Sequence, residues 1–540
     1  MQTESYRNVY QWGNPKSNTG LSEHAADFIH KEFGTSLGSE TYLPGEEIVQ
    51  LVQKSRISLE QKTKLVSIVG AENYDDSDFA RAKYSRGKFY LEILQARMGQ
   101  IENPADAVLF PGNEEEIAEI VEVCKQEKLP IIPVAGATSV TKALQATQGG
   151  IALHLKRLDR VVEFNETNAT VTVEAGLFGP RLEEFLNRRG YTCGHFPQSF
   201  EFASVGGWVA AKGAGQASTG YGKIEDIVLA IKVLTPQGVV ETKNYPKASI
   251  GPDLYQLFLG TEGTFGIITQ VTLKVRKYYK KNSKMSAFLF SSFESGVEAM
   301  RQVMQGGFGF PHFFRLQDPE ETDIAFKMGG KDKSLEDHFL RLLGYEPMKR
   351  CLMHVIVEGD PDYASFVLHK IRRIAWKFGA FEVGESIVQK WLDQRYSSAY
   401  MRDSLMDKGV MIDTLETAVN WDKLLDLWQS VRSYIKKREK TLCLVHISHC
   451  YESGANLYFI FMSPMRVETE AEDFAEFHQG LIEMIHKNGG SLSHHHGIGK
   501  LFSSLMREEV SENGLGLLQA VKKQLDPDFL MNPGGTLGLD

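Results

Sequence analysis

The chain has 540 residues, of which 42% are hydrophobic and 10% aromatic, and its formal net charge is −9. This length exceeds what one hydrophobic core accommodates, so we expect two or three domains. The negative charge argues against a general nucleic-acid-binding protein, and five scattered cysteines without a CxxC pair fit a reducing compartment and give no zinc signature.

The first half of the chain is predicted to be an α+β domain that follows a helical N-terminal region. In residues 1–100 apolar positions recur three and four apart, which is typical of helices. Residues 105–139, "ADAVLFPGNEEEIAEIVEVCKQEKLPIIPVAGATS", predict a strand, a helix and a buried strand that ends in a turn of small residues. Alternating strands continue after this turn, so we predict one domain over residues 101–278.

The second half is predicted to be a separate α+β domain. It follows the basic run "RKYYKKNSKM" at 276–285, which we interpret as a linker or a solvated face, with contact to anionic lipid headgroups as the minor alternative. From 279 to 490 strands alternate with long helices, which indicates a sheet covered by helices. We expect residues 491–540 to return to the first domain.

Three stretches of the first half are rich in small residues, at 133–141, 197–228 and 260–269. Small residues allow a backbone to approach a ligand closely, and successive N–H groups in such turns bind anions. The first stretch taken alone is better explained as an ordinary tight turn, and it is neither a P-loop nor a GxGxxG fingerprint. Together they predict a flavin site that holds FAD in an extended conformation.

The stretch "GGSLSHHHGIGK" at 489–500 places His494, His495 and His496 in a row. Imidazole can act as an acid, a base or a metal ligand near neutral pH. In an extended backbone His494 and His496 would face one way and His495 the other, although a flanking glycine can break this alternation. No acidic residue lies within a few positions, so we predict proton transfer and no metal site.

The order of these stretches resembles the FAD-binding domain of the vanillyl-alcohol oxidase type, also called PCMH-type. The histidine triplet, together with "YGKIEDIV" at 221–228, is similar to the alkyldihydroxyacetonephosphate synthase (alkylglycerone-phosphate synthase) family, over about residues 80–530. The resemblance implies an α+β fold, with a two-subdomain FAD-binding domain and an α+β cap domain whose antiparallel sheet is covered by helices. The triplet would lie in the C-terminal segment.

The resemblance also implies which residues hold the cofactor. The positions that match the family's FAD-binding segments are Pro133, Val134, Ala135, Gly136, Ala137, Thr138, Ser139, Gln198, Ser199, Phe200, Glu201, Phe202, Ala203, Ser204, Ala211, Lys212, Gly213, Ala214, Glu262, Gly263, Thr264, Phe265, Gly266, Ile267 and Ile268. Ala135 and Ala137 flank Gly136 where the family has glycines, so FAD should fit if both alanines keep a negative φ. The loop at 133–139 has no histidine or cysteine for a covalent bond, so we expect a non-covalent FAD.

The family exchanges the acyl group of acyl-dihydroxyacetone phosphate for a fatty alcohol, which yields an ether-lipid precursor without net redox change. By resemblance this implies a covalent adduct at flavin N5 and catalytic roles for Tyr458, Arg315, His494, His495 and His496. Arg402 matches a substrate-binding arginine. A proton must leave the carbon beside a ketone, which suits imidazole, while arginines suit the phosphate and the leaving carboxylate.

Each of these residues also has an ordinary alternative. Arg402 lies in a polar segment typical of a surface helix, Tyr458 lies in an apolar strand typical of a core, and a buried Arg315 could pair with Asp318. The apolar stretch "FGFPHFF" at 308–314 is a candidate wall for an alkyl tunnel. For the whole protein, the alternative is an FAD-dependent D-2-hydroxyacid dehydrogenase or a related oxidoreductase of the same fold.

The chain carries no recognisable targeting signal. Its start lacks the apolar run of a secretory signal, no run of about 18 apolar residues occurs, and the final "LGLD" is not a peroxisomal tripeptide. We therefore expect a cytoplasmic enzyme, with peripheral contact to the inner face of the membrane as an option. The expected partners are the lipid substrates and a second copy in a homodimer, and no nucleic acid.

Overall fold

The computed structural model describes residues 4–14, 18, 20–34, 42–279, 282–466 and 468–539. Lys280 and Lys281 of the predicted basic linker lie outside these residues. Helices and mostly antiparallel sheets make up the regular structure, so the predicted α+β class is confirmed. Within the described ranges, no helix is both long and apolar enough to cross a membrane.

The first half contains short helices and strands. Its helices are α1 (Tyr6–Tyr10), α2 (Glu23–Phe33), α3 (Leu59–Val69), α4 (Asp78–Tyr84), α5 (Tyr90–Arg97), α6 (Glu114–Glu127), α7 (Gly179–Asn187), α8 (Val205–Ala210), α9 (Ser218–Tyr221) and α10 (Ile224–Ile227). Its strands are β1 (Tyr74–Asp75), β2 (Ala107–Leu109), β3 (Ile131–Val134), β4 (Ile151–His154), β5 (Val161–Asn165), β6 (Thr170–Glu174), β7 (Tyr191–Thr192), β8 (Val228–Thr235), β9 (Gly238–Glu241), β10 (Ile267–Lys274) and β11 (Arg276–Lys277).

The second half continues the series with longer elements. Its helices are α11 (Phe293–Met304), α12 (Pro319–Met328), α13 (Leu335–Leu342), α14 (Pro361–Lys377), α15 (Ser386–Gln394), α16 (Ser398–Met406), α17 (Leu424–Ile435), α18 (Glu470–Lys487), α19 (Met506–Val510) and α20 (Glu512–Leu525). Its strands are β12 (Lys284–Phe290), β13 (Phe313–Gln317), β14 (Cys351–Val357), β15 (Phe381–Gly384), β16 (Val410–Asn420), β17 (Leu442–Ile447) and β18 (Gly454–Pro464).

A small sheet places the first small-residue stretch at its edge. The strand order is β1-β2-β4-β3, and β2 and β3 both run parallel to β4. The connecting helix α6 begins after Asn113, whose side chain accepts a hydrogen bond from the N–H of Glu116. Because β3 is an edge strand, it tolerates Pro133, which lacks a backbone donor. The loop at 135–139 follows β3 directly, at the carboxyl end of the parallel strands.

A second sheet of the first half is antiparallel, in the order β5-β6-β10-β8-β9. Val171 and Val173 of β6 and Val271 and Leu273 of β10 are fully buried in one core, as expected where alternate side chains face inward. Strand β10 begins immediately after Gly266. The sheet therefore anchors the third small-residue stretch from its C-terminal side.

The second half contains a seven-stranded antiparallel sheet in the order β15-β12-β14-β13-β17-β18-β16. One face is apolar, and its buried residues Phe314, Leu316, Val445 and Phe459 share a core with residues of α11, α14, α17 and α18. The prediction of an antiparallel sheet covered by helices is thus confirmed.

The other face of this sheet carries polar side chains in register. Side chains directly opposite each other on antiparallel strands share a face. Arg315 lies opposite His354, and Tyr458 lies opposite both His446 and Glu416. These strands therefore present a row of ionisable groups on the face opposite the apolar core.

The end of the chain packs on the first half. Met531 bridges to Ile131 of β3, and the buried ammonium of Lys522 donates to the carbonyl oxygens of Thr264 and Met531 at 2.8 Å each. The carboxylate of Asp526 accepts a further bond from the same ammonium, at 2.6 Å. The C-terminal segment thus fixes the third small-residue stretch from the outside.

The buried neutral histidines should make the fold sensitive to acid. The ring of His478 packs among Phe89, Phe474 and Phe502, and burial lowers its pKa to about 3. Between that value and the unfolded pKa of about 6.5, only the unfolded chain binds the proton, so stability falls as pH falls. Across about pH 6.5 to 5 this histidine alone should cost about 1.5 kcal/mol. In urea unfolding, His478→Phe should lose about this much less stability between pH 6.5 and 5 than the wild type does. The control His369→Gln, at an exposed position, should show the same pH dependence of the free energy of unfolding as the wild type.

Candidate active site

The three predicted cofactor stretches meet in the structure. A Cβ on Gly136 would overlap the backbone carbonyl of Phe202, and one on Gly263 would lie 2.8 Å from Cδ of Pro133. The N–H of Glu262 donates to the carbonyl of Ala210 at 2.9 Å. Segments far apart in sequence therefore approach backbone to backbone, and glycine is required where they touch.

The loop at 135–139 departs from one expectation. Ala137 has a φ of +51°, so the condition of a negative φ at both alanines, under which FAD is expected to fit, is not met at this residue. The left-handed region costs a residue with a Cβ about 1–2 kcal/mol. Lys212, Glu262, Asn532 and Thr536 also have positive φ values. Unfavourable backbone conformations collect where a structure binds ligands.

Many of the predicted cofactor side chains are committed to protein contacts. Val134, Phe200, Ala203, Ser204, Ala214, Thr264, Phe265, Ile267 and Ile268 are buried. Gln198 donates to the carbonyl oxygen of Arg395 at 2.7 Å, and the carboxylate of Glu262 accepts from the N–H groups of Ile498 and Gly499. Such residues can meet a cofactor mainly through their backbone, and Glu262 joins the third stretch to the end of the histidine loop.

A cavity of about 330 Å³ opens beside the second and third of these stretches. Its wall contains Ala211, Lys212, Gly260, His494 and His495. A volume of this order is typical of a site for a small organic group. The glycine contacts and the cavity therefore fit a flavin that lies along the small-residue stretches with the histidines beside it. Residues 308–314 do not line this cavity, so they give no support to the tunnel predicted for them.

The histidine triplet is a tight turn and not an extended segment. The N–H groups of His494, His495 and His496 all donate to the carboxylate of Glu416, at 2.8, 3.1 and 3.0 Å. The hydroxyl of Ser493 donates to the same carboxylate at 2.7 Å. The predicted alternation of side chains is therefore wrong, because three consecutive donors converge on one acceptor.

The electrostatics of the turn favour neutral imidazoles at His494 and His496 beside an ionised carboxylate. Burial lowers the pKa of His494 well below its usual value and that of His496 to about 4. Burial alone would raise the pKa of Glu416, but the neighbouring histidines, His495 first, bring it well below the usual value. Near neutral pH the turn can accept a proton at a ring nitrogen while Glu416 balances the resulting charge.

Tyr458 and Arg315 extend this cluster across the cap sheet. The Tyr458 ring stacks on His495 at 5.8 Å and contacts His496 at 5.5 Å between ring centroids. On its other side it stacks on His446, whose Nδ1 lies 3.0 Å from Nη2 of Arg315. Burial raises the pKa of Tyr458 to about 12, so its phenol stays protonated and can donate.

Arg315 pairs with Glu321 and not with Asp318. Its Nη2 lies 2.6 Å from Oε1 of Glu321, whose other oxygen lies 3.0 Å from His446. Asp318 instead caps α12 by accepting from the N–H of Glu321 at 2.8 Å. The predicted alternative of an Arg315–Asp318 pair is therefore wrong.

Arg402 has spare hydrogen-bonding capacity. Its Nη1 donates to the carbonyl oxygen of Lys88 at 2.8 Å, while its buried Nε and Nη2 have no partner in the described part of the chain. Lys88 itself donates to the carbonyl oxygens of Tyr10 and Gln11, at 2.9 and 3.1 Å. Burial, and then the charge of Arg402, lowers the pKa of Lys88 to about 7. The two unused donors of Arg402, beside the partly buried amine of Lys88, are suited to an anionic group.

A metal-binding arrangement of histidines is also present. Potential ligand atoms of His449, His494 and His495 lie within 4.8 Å of one another. Both ring nitrogens of the buried His449 lack a partner within the described residues. Neutral imidazoles bind divalent transition metals, so these residues could hold one, and the absence of a metal site stays a prediction.

Several residues that complete the site have no local signal in the sequence. Glu416 and Tyr451 lie far along the chain from the histidines they contact, and Glu321 lies far from His446 although it is near Arg315. An acidic residue inside an apolar strand is the one available hint, and Glu416 in "MIDTLETAV" fits it. The identity of its partners depends on strand register, which the sequence does not reveal.

Comparison with known proteins agrees with this arrangement. A family described as "FAD binding domain" matches residues 105–243, and one described as "FAD linked oxidases, C-terminal domain" matches residues 280–536. These matches identify FAD as the cofactor.

Individual relatives point to one family. Alkyldihydroxyacetonephosphate synthase of Caenorhabditis elegans is 30% identical over 508 residues, which cover 89% of this chain and 82% of the relative. The enzyme of Dictyostelium discoideum is 29% identical over 483 residues, covering 85% and 77%. A solved structure of an alkyldihydroxyacetonephosphate synthase superposes with a TM-score of 0.81 at 27% identity, covering 94% of this chain and 92% of that one. The chain belongs to the alkyldihydroxyacetonephosphate synthase family.

Proposed function

We propose that this protein is an FAD-dependent alkylglycerone-phosphate synthase, which exchanges the acyl chain of acyl-dihydroxyacetone phosphate for a fatty alcohol. The observation that carries the proposal is the meeting of the histidine turn, Tyr458 and the cavity beside the small-residue stretches. This arrangement combines a proton acceptor, a proton donor and a cofactor site, which the exchange needs.

The histidine turn supports the removal of a proton from the carbon beside the ketone. Burial lowers the pKa of His494 and His496, so both rings are neutral near neutral pH, and the ionised Glu416 lies 3.3 Å from Nδ1 of His495. A neutral imidazole next to a fixed anion is a competent general base, because the imidazolium that forms is stabilised. Tyr458, stacked on His495, can donate a proton to a leaving or developing oxygen.

Two arginines support the binding of the anionic parts of the substrate. Arg402 offers unpartnered donors in a buried setting, which suits the phosphate. Arg315 is already engaged by Glu321, so we propose that it acts through His446 and Tyr458 rather than by direct contact.

FAD would be held without a covalent bond along residues 133–139, 198–204, 211–214 and 262–268. When bound, it supplies an electrophilic ring system beside the histidine turn. Support for reversible binding comes from the loop at 133–139, which has no histidine or cysteine to form a covalent bond. We also propose a cytoplasmic homodimer whose partners are its lipid substrates, with peripheral membrane contact as an option.

The function is tested by the exchange of labelled fatty acid. The FAD-loaded protein should exchange free labelled palmitate into acyl-dihydroxyacetone phosphate without any electron acceptor, and His495→Ala should lower the rate by at least about 100-fold. The flavin of a synthase should not become reduced by the substrate in the steady state. If D-lactate or a related D-2-hydroxyacid bleaches the flavin anaerobically while palmitate exchange is absent, the alternative of a D-2-hydroxyacid dehydrogenase replaces this proposal.

A further inference from the structure

The carboxylate of Glu416 organises the histidine turn more fully than a simple ion pair would. It accepts from the three backbone N–H groups of residues 494–496 and from the hydroxyl of Ser493. Its Oε2 also lies 3.3 Å from Nδ1 of His495, and its side chain is only 1% exposed. A buried anion surrounded by donors fixes the orientation of everything bonded to it.

The ring nitrogens of the turn form a chain with two self-consistent proton arrangements. Nε2 of His494 lies 2.7 Å from the hydroxyl of Tyr451, and its Nδ1 lies 2.9 Å from Nδ1 of His495. If Tyr451 donates to His494, then His494 donates to His495, whose own proton sits on Nε2. If His494 donates to Tyr451, then His495 donates from Nδ1, and its Nε2 carries a lone pair.

The position of Glu416 decides between the two arrangements. In the first, its Oε2 would face the lone pair on Nδ1 of His495, which is repulsive. In the second, the N–H on Nδ1 of His495 donates to His494 at 2.9 Å, and its positive end lies beside the carboxylate, whose Oε2 is 3.3 Å from Nδ1, which is attractive. Only the second arrangement leaves Nε2 of His495 as a proton acceptor, and no described residue hydrogen-bonds to that nitrogen. His495 also lines the cavity.

We propose that Glu416 is a positioning residue that holds His495 with its proton on Nδ1, so that Nε2 is the base of the site. This inference rests on the proposed function for its role in catalysis. In the step it serves, the C–H bond beside the ketone breaks, its electron pair stays on carbon, and the proton moves to Nε2 of His495. Glu416 then faces an imidazolium, as an acidic partner does in other histidine-dependent sites.

The protonation of His495 can be read directly by nitrogen NMR. In FAD-loaded protein labelled with [¹⁵N]histidine, Nδ1 and Nε2 have distinct chemical shifts that depend on which one carries hydrogen. The signals of His495 are those lost in His495→Gln. We expect hydrogen on Nδ1 in the wild type, and a shift toward hydrogen on Nε2 in Glu416→Gln. The control Asp413→Asn, a buried acid on the same strand that does not bond to the turn, should leave these signals unchanged.

Kinetics provide the second readout. Glu416→Gln should lower kcat for palmitate exchange about 10- to 100-fold with little change in KM, while Glu416→Asp, which keeps the charge, should recover part of the loss. If Glu416 had only a structural role, its replacement would instead change KM, FAD retention and thermal stability as well as kcat. FAD absorbance and thermal unfolding of each variant therefore accompany the rates.

The wild-type spectrum alone can overturn the inference, even if Glu416→Gln fails to fold. Hydrogen on Nε2 of His495 in the wild type would contradict it, as would a tautomer that does not respond to Glu416→Gln. Absence of palmitate exchange in the wild type would count against the proposed function, whereas the NMR result on Glu416 would be unaffected. The two failures are thus distinguishable.

Discussion

Replacing Gly136 by alanine should yield a folded protein that retains little FAD. A Cβ at this position would overlap the carbonyl oxygen of Phe202, which belongs to backbone and has little freedom to move. The loop must therefore shift away from residues 198–204, at a cost of about 1–3 kcal/mol. This corresponds to a loss of FAD affinity of roughly 5- to 150-fold.

A matched control lies one residue further on. Ala137 has a φ of +51°, which glycine adopts without strain. Ala137→Gly should therefore bind FAD as tightly as the wild type or more tightly, although it changes the same loop by a single methyl group. If FAD binding is weakened in Gly136→Ala and not in Ala137→Gly, the loss comes from the clash at Gly136 and not from any change in this loop.

The measurement is the flavin content after gel filtration, followed by titration of the apoprotein with FAD. Circular dichroism establishes that each variant is folded. Wild-type FAD affinity in Gly136→Ala would show that the loop does not contact the cofactor. It would also remove the support that the glycine contacts give to the placement of FAD.

The parts of the fold that are encoded locally were predictable. Strand β3 and its small-residue turn follow from a short apolar run that ends in "AGATS". The cap sheet follows from strands that alternate with long helices, because a sheet with one apolar face must be covered. The resemblance then placed the histidine turn, Tyr458 and Arg402 in one site; Tyr458 does stack on His495, and Arg402 lies within electrostatic range of Tyr458.

The parts that depend on register and backbone geometry were not predictable. Glu416 lies 78 residues before His494, and it reaches the turn only because β16 pairs with β18 in one particular register. Once three backbone donors bind this carboxylate, the turn cannot be extended. The partner of Arg315 was not predictable either. Arg315 pairs with Glu321, although Asp318 is nearer in sequence, because the carboxylate of Asp318 already accepts a hydrogen bond at the start of α12.

The second large effect is expected for Arg402→Met, which should raise KM for acyl-dihydroxyacetone phosphate while leaving the free protein no less stable. The buried Nε and Nη2 of Arg402 have no partner within the described chain, so without substrate the guanidinium is a cost to folding. Two charge-assisted hydrogen bonds to a phosphate contribute about 3 kcal/mol, so KM should rise roughly 100-fold. The KM of Arg402→Lys should lie between those of the wild type and Arg402→Met, because lysine keeps the charge but not the planar guanidinium.

Arg97 is the matched control for Arg402, because it is a buried arginine in the same neighbourhood whose Nη1 and Nη2 both have partners. It donates to the carboxylate of Asp407 at 2.8 Å and to the carbonyl oxygen of Asp403 at 3.2 Å. Arg97→Met leaves Asp407 without this partner and should lower the free energy of unfolding by about 3 kcal/mol. Arg402→Met should therefore raise KM without lowering thermal stability, whereas Arg97→Met should lower thermal stability without raising KM. If Arg402→Met destabilises the protein as much as Arg97→Met and leaves KM unchanged, Arg402 is a structural residue and the phosphate binds elsewhere.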